Sequence, residues 1–215
     1  MNKEIKLLIA VPTLDYIHRK FVESLTGLTK YLESNGPEFD VHFEGCTLVY
    51  ISRDNLARKA IEGDYSKVLW LDADMVFEKG IYEKLLYSHK DFVSAIYRGR
   101  HGTHRPCIFE KLEPPERWDN FDFPEEPVIR EIKGCGFGCV LTSVDILKTV
   151  WNRNGTCFRP TPLLGEDLAF CKRVSDCGYS MWANLEVPVG HIGQFVIEPY
   201  VDMDRQTDGK ILTLI

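Results

Sequence analysis

Val68-Leu69-Trp70-Leu71-Asp72-Ala73-Asp74-Met75-Val76-Phe77 joins a run of four apolar residues to a pair of aspartates. Such an apolar run is typical of a strand that is buried on both faces, as in the parallel sheet of an α/β protein. A buried strand accommodates carboxylates only where it ends, because a charged side chain inside the sheet would lose its hydration. The pattern therefore predicts a strand with two acids at the carboxyl edge of a sheet.

The two aspartates have a spacing that suits a metal site. Residues two apart in an extended chain project to the same side, so Asp72 and Asp74 would point together while the small Ala73 faces away. Paired carboxylates suit Mg²⁺ or Mn²⁺, and nucleotides bind at the carboxyl edge of open parallel sheets. Because Asp-x-Asp is common in proteins, a plain polar turn after the strand is the alternative.

Composition limits the classes of protein to which the chain belongs. Its 215 residues, 44% of them hydrophobic, are enough for the core of one α/β domain. The net charge of -6 and the pI near 5.6 argue against a nucleic-acid partner that is bound through its phosphates. No apolar run approaches the roughly 18 residues of a transmembrane segment, and the seven cysteines lack the spacing of a zinc ribbon. We expect a cytoplasmic protein with reduced, mostly buried thiols.

Apolar periodicity and turn residues predict alternating strands and helices in a mixed, mostly parallel sheet. The predicted strands cover residues 5–11, 39–43, 47–51, 68–71, 91–97, 128–133, 140–142 and 180–183. The predicted helices cover about 18–34, 52–62, 80–88, 145–150 and 165–177.

The loop after the first strand offers groups that suit a nucleotide. Pro12 ends the strand, and Thr13, Asp15 and Tyr16 supply a hydroxyl, a carboxylate and a ring at the edge that carries Asp72. These groups suit a base and a ribose. Capping of the next helix by Thr13 or Asp15 is an equal alternative.

Arg53 follows a predicted helix cap at Ser52. A cation at the entry of a helix opposes the helix macrodipole, so helix stability does not explain it. Close to the predicted acidic site, its guanidinium would suit a diphosphate or sugar hydroxyls.

Two irregular segments are predicted to lie against a substrate. Residues 98–126 are rich in Arg, His and Pro, and we interpret them as a loop that covers the substrate, with a solvated basic turn as the alternative. The glycines of Gly134-Cys135-Gly136-Phe137-Gly138-Cys139 allow close approach of a ligand to the backbone, so Gly136 is a candidate contact. They lack the strand-then-helix context of a dinucleotide fingerprint.

Three residues late in the chain complete the candidate site. Gly165-Glu166-Asp167 begins the last clear helix, and Asp167 shares a face with apolar residues, which predicts an inward carboxylate. For Glu166 the alternative interpretation is that it only complements the helix dipole. His191 lies between glycines and is a candidate metal ligand, and its imidazole suits Mn²⁺ better than Mg²⁺.

The order of these motifs resembles that of glycosyltransferases with the Rossmann-like GT-A fold. The likeness spans about residues 5–193 and rests on Val11-Pro12-Thr13, Arg53, Leu71-Asp72-Ala73-Asp74, Gly165-Glu166-Asp167 and Gly190-His191-Ile192-Gly193. It implies that Asp74 and His191 bind Mn²⁺ or Mg²⁺, with Asp72 touching the ribose or the metal's hydration shell, and that Asp167 is the catalytic base. The candidate substrate contacts are then Pro12, Thr13, Asp15, Arg53, Asp72, Ala73, Gly136 and Glu166.

The implied reaction moves a hexose from a UDP- or GDP-sugar to a hydroxyl acceptor, with the metal assisting departure of the nucleoside diphosphate. If the enzyme retains anomeric configuration, Asp167 would instead orient the acceptor or the sugar. One departure from the family is that its Arg-Asn pair appears here as Arg53-Asp54, with Asn55 displaced by one. Residues 1–97 would bind the nucleotide, residues 98–193 the acceptor and the metal, and residues 194–215 would form a tail.

Other classes of protein fit parts of the pattern. Asp72-Ala73-Asp74-Met75-Val76 also has the form of the haloacid dehalogenase-type phosphotransferase motif, in which the first aspartate is the nucleophile. That family normally carries the motif on its first strand, and its late Gly-Asp-x-x-x-Asp pair is missing from this sequence. A nucleotidyltransferase and a non-catalytic sugar-nucleotide-binding module also remain open.

Overall fold

The computed structural model describes residues 5–14, 16–45, 47–100, 104–112 and 128–193, together with the backbone of 195–197 and 211–213. The helices in these ranges are α1 (Arg19–Asn35), α2 (Val49–Glu62), α3 (Ile81–Leu86), α4 (Val144–Asn154) and α5 (Glu166–Asp176). The strands are β1 (Lys6–Thr13), β2 (Glu38–Gly45), β3 (Lys67–Leu71), β4 (Met75–Val76), β5 (Phe92–Ile96), β6 (Ile108–Phe109), β7 (Ile129–Ile132), β8 (Gly134–Cys135), β9 (Cys139–Ser143), β10 (Met181–Pro188), β11 (Gly190–Ile192), β12 (Phe195–Ile197) and β13 (Ile211–Thr213).

A mixed sheet forms the centre of the domain. Within the described ranges it has seven strands in the order β2-β1-β3-β9-β5-β10-β7. β1 pairs in parallel with β2 and β3, and β5 pairs in parallel with β10, whereas β9 and β7 are antiparallel to their neighbours. Five of the seven strands thus run in the same direction, which confirms the predicted α/β class and the mixed, mostly parallel sheet.

The two faces of this sheet carry separate hydrophobic clusters because neighbouring residues of a strand point to opposite sides. On one face, Leu8 and Trp70 pack with apolar residues of α2, α4 and α5. On the other, Ile9 and Leu71 pack with apolar residues of α1 and α3. The central strands are therefore buried on both faces, as the apolar run before Asp72 predicts.

The predicted strand over residues 47–51 is wrong. α2 begins at Val49 after an N-cap at Leu48 that makes no side-chain hydrogen bond. The β-branched and aromatic residues there favour a strand, but packing of Leu56 and its helical neighbours against the sheet outweighs that local preference. Ser52 is consequently not the cap, and Arg53 lies inside the helix instead of at its entry.

Several predictions fall wholly or partly outside the described residues. Asp15 lies outside them, as do residues 101–103 and 113–127 of the predicted substrate-covering loop and most of the 194–215 tail. Parts of these segments are described. The backbones of Arg98 and Pro106 form an isolated antiparallel β-bridge, and β6 pairs with β8. β12 and β13 extend a small sheet that also contains β11 and β4.

None of the helices in the described ranges combines the length and the apolar character that crossing a membrane requires. Six of the seven cysteines lie in those ranges, and all six are free thiols. Four of these are buried, as expected for packed thiols.

Candidate active site

A cleft of about 400 Å³ opens at the carboxyl edge of the central sheet. Its walls come from the end of β1 and the following loop, the start of α2, the turn after β3, and one arginine. The lining residues are Pro12, Thr13, Leu14, Tyr16, His18, Thr47, Val49, Asp72, Ala73, Asp74 and Arg100. The structure thus brings together the predicted donor contacts at positions 12, 13, 72 and 73 with the candidate metal ligand Asp74.

The acidic turn is held by backbone hydrogen bonds to two distant segments. Asp72 donates its N–H to the carbonyl of Gly138 (3.0 Å), and Met75 donates back to the carbonyl of Asp72 (3.1 Å). β4 then pairs with β11 so that Met75 lies opposite His191, and Ile192 donates its N–H to the carbonyl of Asp74 (2.7 Å). This register places a histidine more than a hundred residues away beside the second aspartate.

The side chains of Asp74 and His191 face each other across this pairing. His191 Nε2 lies 3.4 Å from Asp74 Oδ2, and Arg100 donates to the same oxygen. On the other side of the ring, Nδ1 lies 2.9 Å from the carbonyl of Arg98, which only accepts, so Nδ1 carries a proton. In the neutral ring, Nε2 is therefore the nitrogen with the free lone pair, directed toward Asp74.

Electrostatics favours the charged form of both side chains. Burial opposes ionisation of Asp74, but hydrogen bonding and charge from His191, with the charge of Arg100, outweigh it and lower the pKa of the carboxyl. For His191, burial likewise opposes the charged form, but Asp74 outweighs it and the pKa is raised.

The donor set suits a hard or borderline divalent cation that is shared with a substrate. Asp74 and His191 offer one carboxylate oxygen and one imidazole nitrogen, both of which Mn²⁺ accepts. In the part of the chain that the structure describes, no group of three or more His, Cys, Asp or Glu side chains is arranged to hold a metal ion. Asp74 and His191 therefore remain predicted metal ligands.

Asp72 has a different position from the one expected of a metal ligand. Arg53 Nη2 donates to both of its carboxylate oxygens, at 2.8 and 3.0 Å, and Arg53 Nη1 donates to Glu166 Oε1 at 2.9 Å. Arg53 is 3% exposed and is not among the residues that line the cleft. The predicted contacts of Arg53 and Glu166 with a nucleotide remain predictions, because the structure directs these two side chains at each other.

Asp167 lies in the first turn of α5 with its carboxylate on the inward side, as the helix pattern predicts. Its Oδ1 accepts a hydrogen bond from the N–H of Leu168 at 2.7 Å. Burial raises the pKa of Asp167 to about 6, helped by the negative charge of Glu166 and opposed by Arg53. The charge of Asp72 also acts on Asp167, so the start of α5 is electrostatically coupled to the acidic turn.

Gly136 is explained by packing instead of by an open substrate surface. A Cβ at this position would lie 2.1 Å from the hydroxyl oxygen of Tyr97, and one at Gly138 would lie 2.9 Å from Met75 Sδ. Tyr97 accepts a hydrogen bond from the N–H of Gly138 at 3.1 Å. Gly136 is itself buried, so its predicted role as a substrate contact is replaced by close packing beneath the acidic turn.

The displaced Arg-Asn pair also has a structural explanation that the sequence did not reveal. Asp54 accepts hydrogen bonds from the backbone N–H groups of Cys157 and Phe158, each at 2.8 Å, and from the hydroxyl of Thr156. Asn55 donates to Glu44 at 2.8 Å. Asp54 therefore anchors the loop before α5, and nothing in the local sequence indicates a partner a hundred residues away.

Sequence comparisons give no relative of this chain: no protein-family model matches it, and no curated protein matches it. Comparison of structures finds A197 from STIV, with a TM-score of 0.58 and 19% identity over 91% of this chain and 90% of that one. It also finds the catalytic domain of Drosophila β1,4-galactosyltransferase 7, with a TM-score of 0.52 and 16% identity over 85% of this chain and 66% of that one.

A mutant of that galactosyltransferase, in a complex with manganese, UDP-Gal and xylobiose, matches with a TM-score of 0.51 and 17% identity over 88% of this chain and 71% of that one. A nucleoside-diphosphate-sugar pyrophosphorylase from Vibrio cholerae RC9 matches with a TM-score of 0.51 and 11% identity over 83% of this chain and 91% of that one. At these identities the likeness concerns architecture alone, and by that architecture the chain has the GT-A fold.

Proposed function

We propose that the protein is a metal-dependent glycosyltransferase that moves a hexose from a nucleoside-diphosphate sugar to a hydroxyl acceptor. The observation that carries this proposal is the pairing of β4 with β11, which sets Asp74 and His191 3.4 Å apart beside the cleft at the sheet edge. A carboxylate and an imidazole in this position suit a cation that a diphosphate also binds.

The cleft would hold the donor. Pro12 and Thr13 line it at the end of β1, and Tyr16 adds an aromatic ring for the base. Thr47 and Val49 line it at the start of α2, whose first turn contains no acidic residue. The positive end of that helix favours a diphosphate, because unpaired backbone N–H groups bind anions.

Asp74 and His191 would hold the metal, most readily Mn²⁺. When bound, such a cation supplies positive charge that offsets the charge developing on the departing nucleoside diphosphate. His191 is oriented for this task by its Nδ1–H bond to Arg98. Arg100, which also lines the cleft, supplies a second positive charge on the same side.

Asp167 would act on the acceptor in an inverting reaction. A carboxyl with a pKa of about 6 is largely ionised at neutral pH and is more basic than an ordinary aspartate. Its oxygen takes the proton of the acceptor hydroxyl while that hydroxyl bonds to the sugar carbon and the bond from this carbon to the diphosphate breaks. In a retaining reaction the same side chain would orient the acceptor or the sugar.

The structure disfavours the phosphotransferase alternative. Arg53 Nη2 donates to both carboxylate oxygens of Asp72, and this ion pair makes the carboxylate a weaker nucleophile toward a phosphoryl group. Nucleotidyl transfer is distinguished by its products, since it releases pyrophosphate from a nucleoside triphosphate whereas glycosyl transfer releases a nucleoside diphosphate from a sugar nucleotide.

The test is calorimetric titration of UDP and of GDP into the protein, with and without Mn²⁺. We expect Mn²⁺-dependent binding of one of them in the wild type and loss of this binding in Asp74→Asn, which keeps the shape of the side chain but removes its charge. Glu78→Gln is the matched control, because Glu78 is an exposed acid that pairs only with Lys84 in the described residues. Equal Mn²⁺-dependent affinity in the wild type and Asp74→Asn would refute the metal site.

A further inference from the structure

Arg53 is the only charged side chain that is buried among the described residues. Its guanidinium joins two segments that lie far apart in the sequence. Nη2 lies 2.8 Å from Asp72 Oδ1, and Nη1 lies 2.9 Å from Glu166 Oε1. Each segment carries a residue of the proposed reaction. Asp72 begins the turn that bears Asp74, and Glu166 begins the helix whose next residue is Asp167.

The guanidinium itself is held in a fixed place. It lies over the rings of Phe137 and Phe158, at 5.5 and 6.0 Å from their centroids. Both rings make edge contacts with Trp70 of β3, so the group is fixed to the central sheet. Cation–π contacts of this kind add attraction without forming a competing hydrogen bond.

The helix that bears Asp167 depends on this contact at its start. The N-cap of α5 is Gly165, which has no side chain to bond the first turn. The ion pair between Arg53 and Glu166 fixes this first turn to the sheet edge, although it bonds no backbone N–H group as a cap residue would. Burial of Arg53 opposes its charge, but Asp72 and Glu166 outweigh this and raise its pKa, so the link stays charged.

We infer that Arg53 is a positioning residue that sets the distance and orientation between the Asp72-Ala73-Asp74 turn and Asp167. The inference rests on the proposed function and deepens it, because it assigns Arg53 to the alignment of the two ends of the site instead of to the nucleotide. Arginine is needed because a planar fork reaches two carboxylates at once, whereas a lysine ammonium is a single point charge.

The two roles predict different measurements. A residue that touches the nucleotide changes the affinity for it, whereas a residue that aligns donor and base changes turnover. Misplacement of reacting groups by about 1 Å costs on the order of 100-fold in rate. We therefore expect Arg53→Lys to lower the kcat of sugar-nucleotide hydrolysis about 10- to 100-fold and to change the Kd for Mn²⁺ with UDP or GDP less than about 3-fold.

The experiment uses transfer to water, so that no acceptor need be known. The probe is the UDP- or GDP-hexose that raises the melting temperature of the wild type most in the presence of Mn²⁺. The matched control is Arg173→Lys, because Arg173 is a half-buried arginine on α5 that donates to backbone carbonyls of Cys157 and Arg159 instead of bridging two acids. All rates are divided by the folded fraction at the assay temperature.

Glu166→Gln serves as a second variant in case Arg53→Lys folds poorly. It removes the negative charge from the contact with Arg53 Nη1, since the glutamine oxygen can still accept a hydrogen bond, and it leaves the contact with Asp72 unchanged. We expect it to lower kcat in the same direction, and we expect the double variant to be no slower than Arg53→Lys alone, because both changes remove one interaction.

Three results overturn the inference. A weaker nucleotide affinity with an unchanged kcat assigns Arg53 to nucleotide binding. An unchanged kcat per folded molecule in Arg53→Lys and Glu166→Gln leaves it a purely structural role. A wild type that neither binds nor hydrolyses any sugar nucleotide refutes the proposed function together with the inference, whereas the first two results leave the proposed function intact.

Discussion

Replacing Asp167 by asparagine should make the protein slower and, at neutral pH, more stable. Asparagine keeps the size of the side chain and an oxygen for the hydrogen bond to Leu168, but it cannot ionise. If Asp167 is the base, its loss should lower turnover by roughly 100- to 10,000-fold, which is the usual contribution of a positioned general base.

The stability effect follows from the pKa of Asp167, which rises from 3.8 to about 6 in the fold. An acid with a raised pKa holds its proton more tightly in the native state than in the unfolded chain, so stability falls as the pH rises between these two values. The full penalty is present above pH 6 and absent below pH 3.8. At 1.36 kcal/mol per pH unit it amounts to about 3 kcal/mol, which the variant should regain at pH 7.

Urea unfolding at pH 4 and pH 7, beside steady-state hydrolysis of the sugar nucleotide, measures both effects. Asp145→Asn is a matched control, because Asp145 is exposed and is the second residue of the 11-residue helix α4, as Asp167 is of the 11-residue helix α5. We expect this control to lose about 0.3 to 1 kcal/mol of stability through the helix dipole and to keep normal turnover.

The outcome that would refute this reasoning is that Asp167→Asn behaves like Asp145→Asn. A small loss of stability at pH 7 with near-normal turnover would mean that Asp167 only complements the dipole of α5. A gain in stability that is the same at pH 4 and pH 7 would show that the effect does not come from ionisation.

Three further substitutions test other parts of the site. His191→Ala should weaken Mn²⁺ affinity in the presence of nucleoside diphosphate by about 10- to 100-fold, measured by calorimetry, and an unchanged affinity would remove His191 from the metal site. Gly136→Ala should cost about 1 to 3 kcal/mol in urea unfolding because its Cβ would meet the Tyr97 hydroxyl, and combining it with Tyr97→Phe should cost less than the sum of the two single changes. Asp54→Ala should cost about 2 to 4 kcal/mol because it leaves two backbone N–H groups without their acceptor, whereas Asn55→Ala should cost under about 1 kcal/mol.

The features that the sequence predicts well are those whose cause is local. The apolar run before Asp72 implies a strand buried on both faces, and the structure shows that strand with clusters on either side. The helical spacing around Asp167 implies an inward carboxylate, and Phe170, Cys171 and Val174 on the same face are buried. Burial patterns repeat with the period of the element, so they can be read without knowledge of the partner.

The features that the sequence does not predict depend on pairing between distant segments. The start of α2 has the composition of a strand and folds as a helix because of its packing against the sheet. Gly136 suggests access for a ligand, but the reason for glycine is Tyr97, about forty residues earlier in the chain. Asp54 has no local partner in the sequence, and its role appears only with the loop that it holds.

The same distinction explains why the two aspartates of Asp72-Ala73-Asp74 have different roles. Their spacing predicts that both side chains point to one side, but what each does depends on the partner that the fold brings to it. Arg53 donates hydrogen bonds to both carboxylate oxygens of Asp72, whereas the pairing of β4 with β11 places His191 beside Asp74. Both aspartates line the cleft, but Asp72 is tied to the buried Arg53, whereas Asp74 lies beside His191, with which it would hold a cation in the proposed function. Losing the charge of Asp72 should therefore affect the alignment of the site, and losing that of Asp74 should affect metal binding.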